Sequence, residues 1–185
     1  MNRQIIINNI RDSLKSVYGK EFVLEDSALV CSISHNMARF ERVVSNGRMV
    51  NALVHRKGAT SAFGPSRATG HFSGKGDPVL IPGSMGTRSF VLTGRDGNEN
   101  ISISSSSHGA GRVLSRKRSR DEISSSDVYR DLLNKNILAL SPSEYALAEE
   151  SPESYKDIDD VIRASEQSKI AKKVASLIPI GVIKG

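Results

Sequence analysis

The chain has 185 residues, 38% of them hydrophobic and 25% charged, which is enough apolar material for a packed core and too much for a disordered tail. Twenty-six Lys and Arg against twenty Asp and Glu leave a net charge of +6, favouring polyanionic partners without indicating an activity. No apolar run is long enough to span a membrane, residues 1–20 lack the layout of a signal peptide, and a lone Cys31 forms no internal disulfide, so the chain reads as cytoplasmic with no membrane partner.

Ile6, Ile10, Leu14 and Val17 recur at helical spacing and predict a helix over residues 2–18, stopped by Gly19. Residues 28–33 read as a short buried strand, with Cys31 a small core residue. Residues 42–55 contain two extended runs around Asn46-Gly47, a tight-hairpin pair. Residues 57–82 are rich in Gly, Ser and Pro and read mostly as loop. Strands are expected over 89–93 and 100–103, separated by the turn Gly94-Arg95-Asp96-Gly97. Beyond Ala110 the pattern becomes helical. Asp127 is placed to cap a helix reaching about Lys135. Ile158, Val161, Ile162, Ala171, Val174 and Leu177 predict the longest helix, over 157–177, with Pro179 ending it and an extended tail after it. The order predicts an α+β domain, a mixed sheet with flanking helices. Neither GxxxxGK[ST] nor GxGxxG occurs, so neither a P-loop nor a dinucleotide fold is indicated.

Glycine-bearing segments stand out at V-H-R-K-G-A-T (54–60), I-P-G-S-M-G-T-R-S (81–89) and S-H-G-A-G-R (107–112), each with Arg or Lys beside it. Glycine lets the backbone approach a ligand and turn successive N–H groups towards an anion. If a helix starts near Gly109, then His108, Arg112 and Arg116 share a face, an imidazole with two guanidiniums suited to phosphate. Neutral imidazole is a nucleophile near pH 7. Two readings of His108 stay open at this point: a nucleophile, or a loop histidine hydrogen-bonded to Ser106 or Ser107. Arg112, Arg116, Lys117, Arg118 and Arg120 follow it closely and read as an anion-binding stripe. His35, beyond the expected strand, is a candidate metal ligand or a packed histidine; His55 and His71 read as structural or surface residues.

S-H-N, V-H-R-K-G-A-T, I-P-G-S-M-G-T-x-S, S-H-G-A-G-R-x-x-S-R, Y-K-D-I-D and the terminal G-V-I-K-G occur in that order. Together they resemble the C-terminal part of the RNA-splicing ligase family, the RtcB-type 3′-phosphate/5′-hydroxyl nucleic acid ligases. The resemblance implies a ligase dependent on GTP and manganese(II). A histidine is guanylylated, GMP passes to an RNA 3′-phosphate, and a 5′-hydroxyl attacks to seal the strand. It puts the guanylylated histidine at His108 and a manganese ligand at His35. It assigns GTP contacts to His35, Asn36, Pro82, Gly83, Ser84, Met85, Ser89, His108, Gly109, Ala110, Gly111 and Lys184. Arg112 and Arg116 would hold phosphates of GTP or RNA.

The motifs lie within residues 28–185, and residues 1–27 read as a helix and lead-in without a family match, all within a single domain over 1–185. The family's other manganese ligands, an aspartate with a cysteine and two further histidines, belong to an N-terminal half that this sequence lacks. The expectation is therefore a truncated or split ligase, completed by a separate chain supplying that half. The alternative is a non-catalytic nucleotide- or RNA-binding remnant.

Overall fold

The computed structural model describes residues 2–183 and separates the chain into two compact units, divided after Ser32. In the first unit, helix α1 (Asn2–Tyr18) forms as the spacing requires and ends where Gly19 takes φ +55°. It buries no residue. The Arg11 guanidinium donates to the Ser27 carbonyl at 2.9 Å. Residues 28–33 form no strand; Leu29 and Val30 are exposed and Cys31 is half-buried, with burial pushing its thiol pKa up. An apolar run makes a strand only where a neighbouring strand offers its N–H and C=O groups.

The second unit opens with a ten-residue hairpin, β1 (Asn36–Ser45) and β2 (Arg48–Lys57), turned at Asn46-Gly47 where both residues have positive φ. β3 (Ala59–Ser61) follows at once and pairs antiparallel with β6 (Ser105–Ser107). β4 (Pro78–Ile81), β5 (Ser89–Gly94) and β8 (Ala171–Leu177) make a three-stranded antiparallel sheet. β7 (Leu138–Leu140) pairs parallel with β9 (Gly181–Ile183). The class is α+β as expected, but among the described residues four small sheets take the place of one mixed sheet.

Several expected elements differ. Residues 99–102 form a short helix, α2 (Glu99–Ser102), where a strand was expected; the strand β6 comes just after it, beyond Ile103 and Ser104. The helix before Lys135, α4 (Ser125–Asn134), is capped by Ser124, which accepts from the Asp127 N–H. The long helix expected over 157–177 is α6 (Ile158–Gln167) followed by β8. Asp157 caps α6, Lys169 at φ +57° ends it, and Ala171 and the residues after it pair with β5. Apolar spacing at 171, 174 and 177 suits a helix, but the open edge of β5 supplies a ladder, which decides the outcome.

Two cores hold this unit. Ala62, Val79, Ile81, Phe90, Leu92, Ile158, Ile162 and Ala171 pack between the three-stranded sheet and α6, with Ala110 against them. Met85, Val128, Leu132, Ile137 and Ala139 form the second core around α4 and β7. Burying the larger of these side chains, Val, Leu, Ile, Phe and Met, stabilises by about 1.5–3 kcal/mol each. Both cores reach the segments carrying the candidate site, through Ala110 and Met85.

Candidate active site

The three glycine-bearing segments converge. The β3–β6 ladder sets Ala59 opposite Ser107, so residues 54–60 lie beside the start of 107–112. A Cβ built on Gly58 would come 3.9 Å from Nε2 of His108, and one on Gly109 would come 4.0 Å from the Pro82 carbonyl oxygen, which brings in segment 81–89. His35 joins them from the other side, because the Gly58 N–H donates to the His35 carbonyl at 2.9 Å and reaches Oδ1 of Asn36 at 3.4 Å. The His35 and His108 rings stand edge to face, centroids 4.3 Å apart.

His35 and Asn36 are exposed, whereas His108 is half-buried. Burial lowers the His108 pKa, and the neighbouring His35 lowers it further. The imidazole is thus neutral near pH 7, with a lone pair available. Among the described residues no hydrogen bond holds its ring; Ser106 turns inward with its Oγ buried and unpartnered. Of the two readings open from the residues, the loop histidine bonded to Ser106 or Ser107 is therefore not formed.

The turn at 82–89 is shaped by its glycine and hydroxyls. The Gly83 N–H donates to Oγ of Ser89 at 3.1 Å, the Thr87 N–H to the Ser84 carbonyl at 3.0 Å, and Ser84 and Thr87 hydroxyls lie 3.4 Å apart. A Cβ on Gly83 would collide with the Arg88 carbonyl oxygen, so no other residue fits there. Ser84 and Ser89 are half-buried and Pro82 is exposed; Met85, expected at the nucleotide, is 1% exposed, with its side chain in the second core. Lys184 lies outside the described residues.

The expected helical face of His108, Arg112 and Arg116 does not form. Residues 108–111 are irregular, Gly111 has φ +75°, Arg112 bridges to Tyr155, and α3 (Arg116–Glu122) starts only after the Ser115 cap. Arg112 faces inward. Its guanidinium donates to the Leu114 carbonyl at 3.0 Å, Tyr155 Oη at 2.8 Å, Ser119 Oγ at 3.0 Å and the Glu149 carbonyl at 2.6 Å, and it lies over the Tyr155 ring. The basic stripe is largely neutralised: Arg116 and Arg120 both pair with Glu149, which lies on α5 (Glu144–Glu149), and Arg118 pairs with Glu122.

One group escaped the sequence reading. Arg56, in V-H-R-K-G, is 4% exposed and grips Glu41 with both ends of its guanidinium, at 2.6 and 2.8 Å. It also donates to Ser105 Oγ at 2.9 Å and the Ile103 carbonyl at 3.2 Å. Ile103 and Ser104 both have left-handed φ, +54° and +48°, a conformation that costs a non-glycine residue about 1–2 kcal/mol. Arg56 and the Ala62 N–H, which donates to the Ser104 carbonyl at 2.8 Å, hold that turn immediately before β6 and His108. Hairpin alternation was the available signal, since positions 41 and 56 fall on one face in the register that Asn46-Gly47 imposes.

The family model for the tRNA-splicing ligase RtcB matches residues 1–185. The chain belongs to the RtcB family. The match includes residues 1–27, in which the motifs had indicated no family likeness. The chain is 41% identical over 186 residues to the tRNA-splicing ligase RtcB of Nanoarchaeum equitans, covering 100% of this chain and 39% of that protein. It is 40% identical over 190 residues to that of Pyrococcus abyssi, covering 20% of that protein, and 43% identical over 159 residues to the RNA-splicing ligase RtcB of Mycobacterium tuberculosis, covering 85% of this chain and 36% of the relative. The chain thus spans about two fifths or less of the length of these RtcB relatives.

His35 does not fit manganese by itself. Among the described residues no group of three or more His, Cys, Asp or Glu side chains is placed to hold a metal ion. A divalent transition metal takes several such donors, of which His35 would supply one. No described helix is long and apolar enough to cross a membrane.

Proposed function

We propose that the chain is the nucleotide-transfer portion of an RNA ligase that joins RNA 3′-phosphate or 2′,3′-cyclic phosphate ends to 5′-hydroxyl ends through a GMP-histidine intermediate, with GTP as guanylyl donor. The observation that supports it most is the state of His108: a half-buried, neutral imidazole at the meeting point of three glycine segments, in a chain of the RtcB family.

In the first step the imidazole lone pair attacks the α-phosphorus of GTP. An N–P bond forms, the bond to the oxygen bridging the β-phosphate breaks, and pyrophosphate leaves with the bonding pair. The proton on the other ring nitrogen goes to water. In the second step an oxygen of the RNA 3′-phosphate, formed by water opening the ring where the end is a 2′,3′-cyclic phosphate, attacks the same phosphorus; the N–P electron pair returns to His108 and the imidazole takes a proton back from water. In the third, the RNA 5′-hydroxyl oxygen attacks the activated 3′-phosphate, its proton passes to water, and GMP leaves with the electron pair of the P–O bond that joined the two phosphates. Asn36, Pro82, Gly83, Ser84, Ser89 and the Gly109–Gly111 backbone are the groups we assign to holding GTP, with His35 flanking the nucleophile. Met85 packs in the second core beneath the 82–89 turn, and Arg112 ties the 108–112 segment to Tyr155 and α3.

Incubation with GTP labelled at the α-phosphate, with the N-terminal portion of a related ligase and manganese supplied, tests the first step. The expected label on the protein is acid-labile, alkali-stable and absent from His108→Ala. No label under that condition moves the chain to the second reading, a non-catalytic nucleotide- or RNA-binding remnant, which the sparse metal donors favour.

A further inference from the structure

We infer that the outer face of the β1–β2 hairpin is a platform for a single strand of RNA, leading away from His108. The inference rests on the ligase reading for its ligand, and on the hairpin for its place. Strand alternation divides the hairpin in two. On the inner face Glu41, Val43 and Arg56 are buried. On the outer face the register sets Asn36 opposite Lys57, Ala38 opposite His55, Phe40 opposite Leu53, Arg42 opposite Asn51 and Val44 opposite Met49. All ten are exposed except the half-buried Val44, and Phe40 is 79% exposed.

Charge and chemistry select the ligand. The outer face has Arg42, Lys57 and His55 and no carboxylate, because the hairpin's one acid, Glu41, is turned inward and held by Arg56. No described residue pairs with the Arg42 or Lys57 side chains. An exposed aromatic ring among cations is the arrangement on which unpaired bases stack while the charges follow the phosphates. A protein partner would want a contiguous apolar centre. Here the polar pair Arg42–Asn51 separates Phe40–Leu53 from Val44–Met49, so no such centre exists. The platform is also continuous with the candidate site. The Asn36–Lys57 end of the ladder adjoins Gly58, whose N–H is bonded to His35. From there the strands extend roughly 30 Å at about 3.3 Å per residue.

The test measures binding of a fluorescein-labelled single-stranded oligoribonucleotide by anisotropy over a range of salt. Phe40→Leu, which keeps an apolar side chain but removes the ring, is expected to weaken binding by about 5- to 100-fold, and Phe40→Trp to retain it. Arg42→Ala is expected to reduce the slope of log affinity against log salt by about one. Unchanged affinity in Phe40→Leu together with an unchanged slope in Arg42→Ala overturns the platform. So does intact RNA binding accompanied by loss of association with the N-terminal portion of a related ligase, which would make the face a protein interface. GMP labelling of His108 is measured in parallel. Wild type without label, but with ring-dependent RNA binding, would overturn the ligase reading and keep the platform.

Discussion

Arg56 and Glu41, fifteen residues apart in sequence, meet across the hairpin as a bidentate, almost fully buried ion pair, with contacts of 2.6 and 2.8 Å. Arg39 adds a further contact to the same carboxylate. The pair joins the hairpin to the left-handed turn at Ile103–Ser104 that precedes β6, so its integrity bears on where His108 sits.

Removing one partner strands a buried charge. Arg56→Met should destabilise the protein by about 3–5 kcal/mol, and more than the double replacement Arg56→Met with Glu41→Leu. Urea unfolding of the three proteins checks this. A double variant as unstable as the single would show that geometry, and not the unpaired carboxylate, sets the cost.

The same pair has a pH signature. Burial pushes the Glu41 carboxyl up, but hydrogen bonds and charge from Arg56 and Arg39 outweigh it and leave its pKa lowered. The folded state therefore holds the ionised form more firmly than the unfolded chain does. The pair's contribution is fully present above the ordinary glutamate value of about 4.3 and is lost as pH falls through the lowered one. Unfolding free energy measured from pH 6 to pH 3 should decline in that window, and decline less in the double variant.

How much of this was legible in the sequence differs from element to element. The hairpin followed from Asn46-Gly47, α1 from its spacing and Gly19, and the three segments that converge on His108 from their glycines. What failed was where two structures share one pattern. Residues 171–177 carry apolar positions that suit a helix, yet they complete a sheet whose open edge lies about eighty residues earlier. The helical face expected to carry Arg112 also failed, because a cation beside glycine looks the same in sequence whether it continues a helix or bridges to a distant Tyr155. Arg56 had the same ambiguity, resolved only by register.

His108 titrates low because burial and His35 both disfavour its charged form. A lowered imidazole pKa means that protonation opposes the folded geometry, and that the nucleophilic form persists as pH falls. Guanylylation should be flat from pH 8 downward and fall only below an inflection that lies under about 6.5. His35→Ala removes the second cause and leaves burial, so the His108 pKa should rise part of the way towards 6.5. Imidazole chemical shifts recorded against pH would show this, and no upward movement would remove His35 from the account.

Arg112 should behave as a structural group. It has four hydrogen-bond acceptors and a ring beneath it, and Tyr155, its partner, has a pKa raised first by burial and then by the bond to Glu150. Arg112→Lys keeps the charge but not the fork, and should cost about 1–3 kcal/mol of stability. Thermal or urea unfolding checks it. A variant of unchanged stability with impaired nucleotide binding would restore Arg112 to phosphate contact.

Arg118 and Arg120 are held by Glu122 and Glu149, so most of their charge is already answered within the protein. Changing both to alanine should leave the salt dependence of RNA binding nearly as it was, in contrast to Arg42→Ala. A slope flattened by two in the Arg118, Arg120 variant would place RNA phosphates along α3 after all.

The last prediction concerns joining itself. Among the described residues His35 and His108 are the only imidazoles brought together, and no group of three or more His, Cys, Asp or Glu side chains is placed to hold a metal ion. The phosphates of GTP and RNA carry charge that must be neutralised for in-line displacement, a task metal ions perform in phosphoryl chemistry. GTP docking on Ser84, Ser89 and the Gly109–Gly111 backbone needs only N–H and hydroxyl donors. The isolated chain is therefore expected to bind guanine nucleotides weakly and not to join a 3′-phosphate to a 5′-hydroxyl. Adding the N-terminal portion of a related ligase should restore joining, and His108→Ala should abolish the restored activity. Efficient joining by the isolated chain would show that its own residues meet the charge, and calorimetry with manganese would then identify which of them bind it.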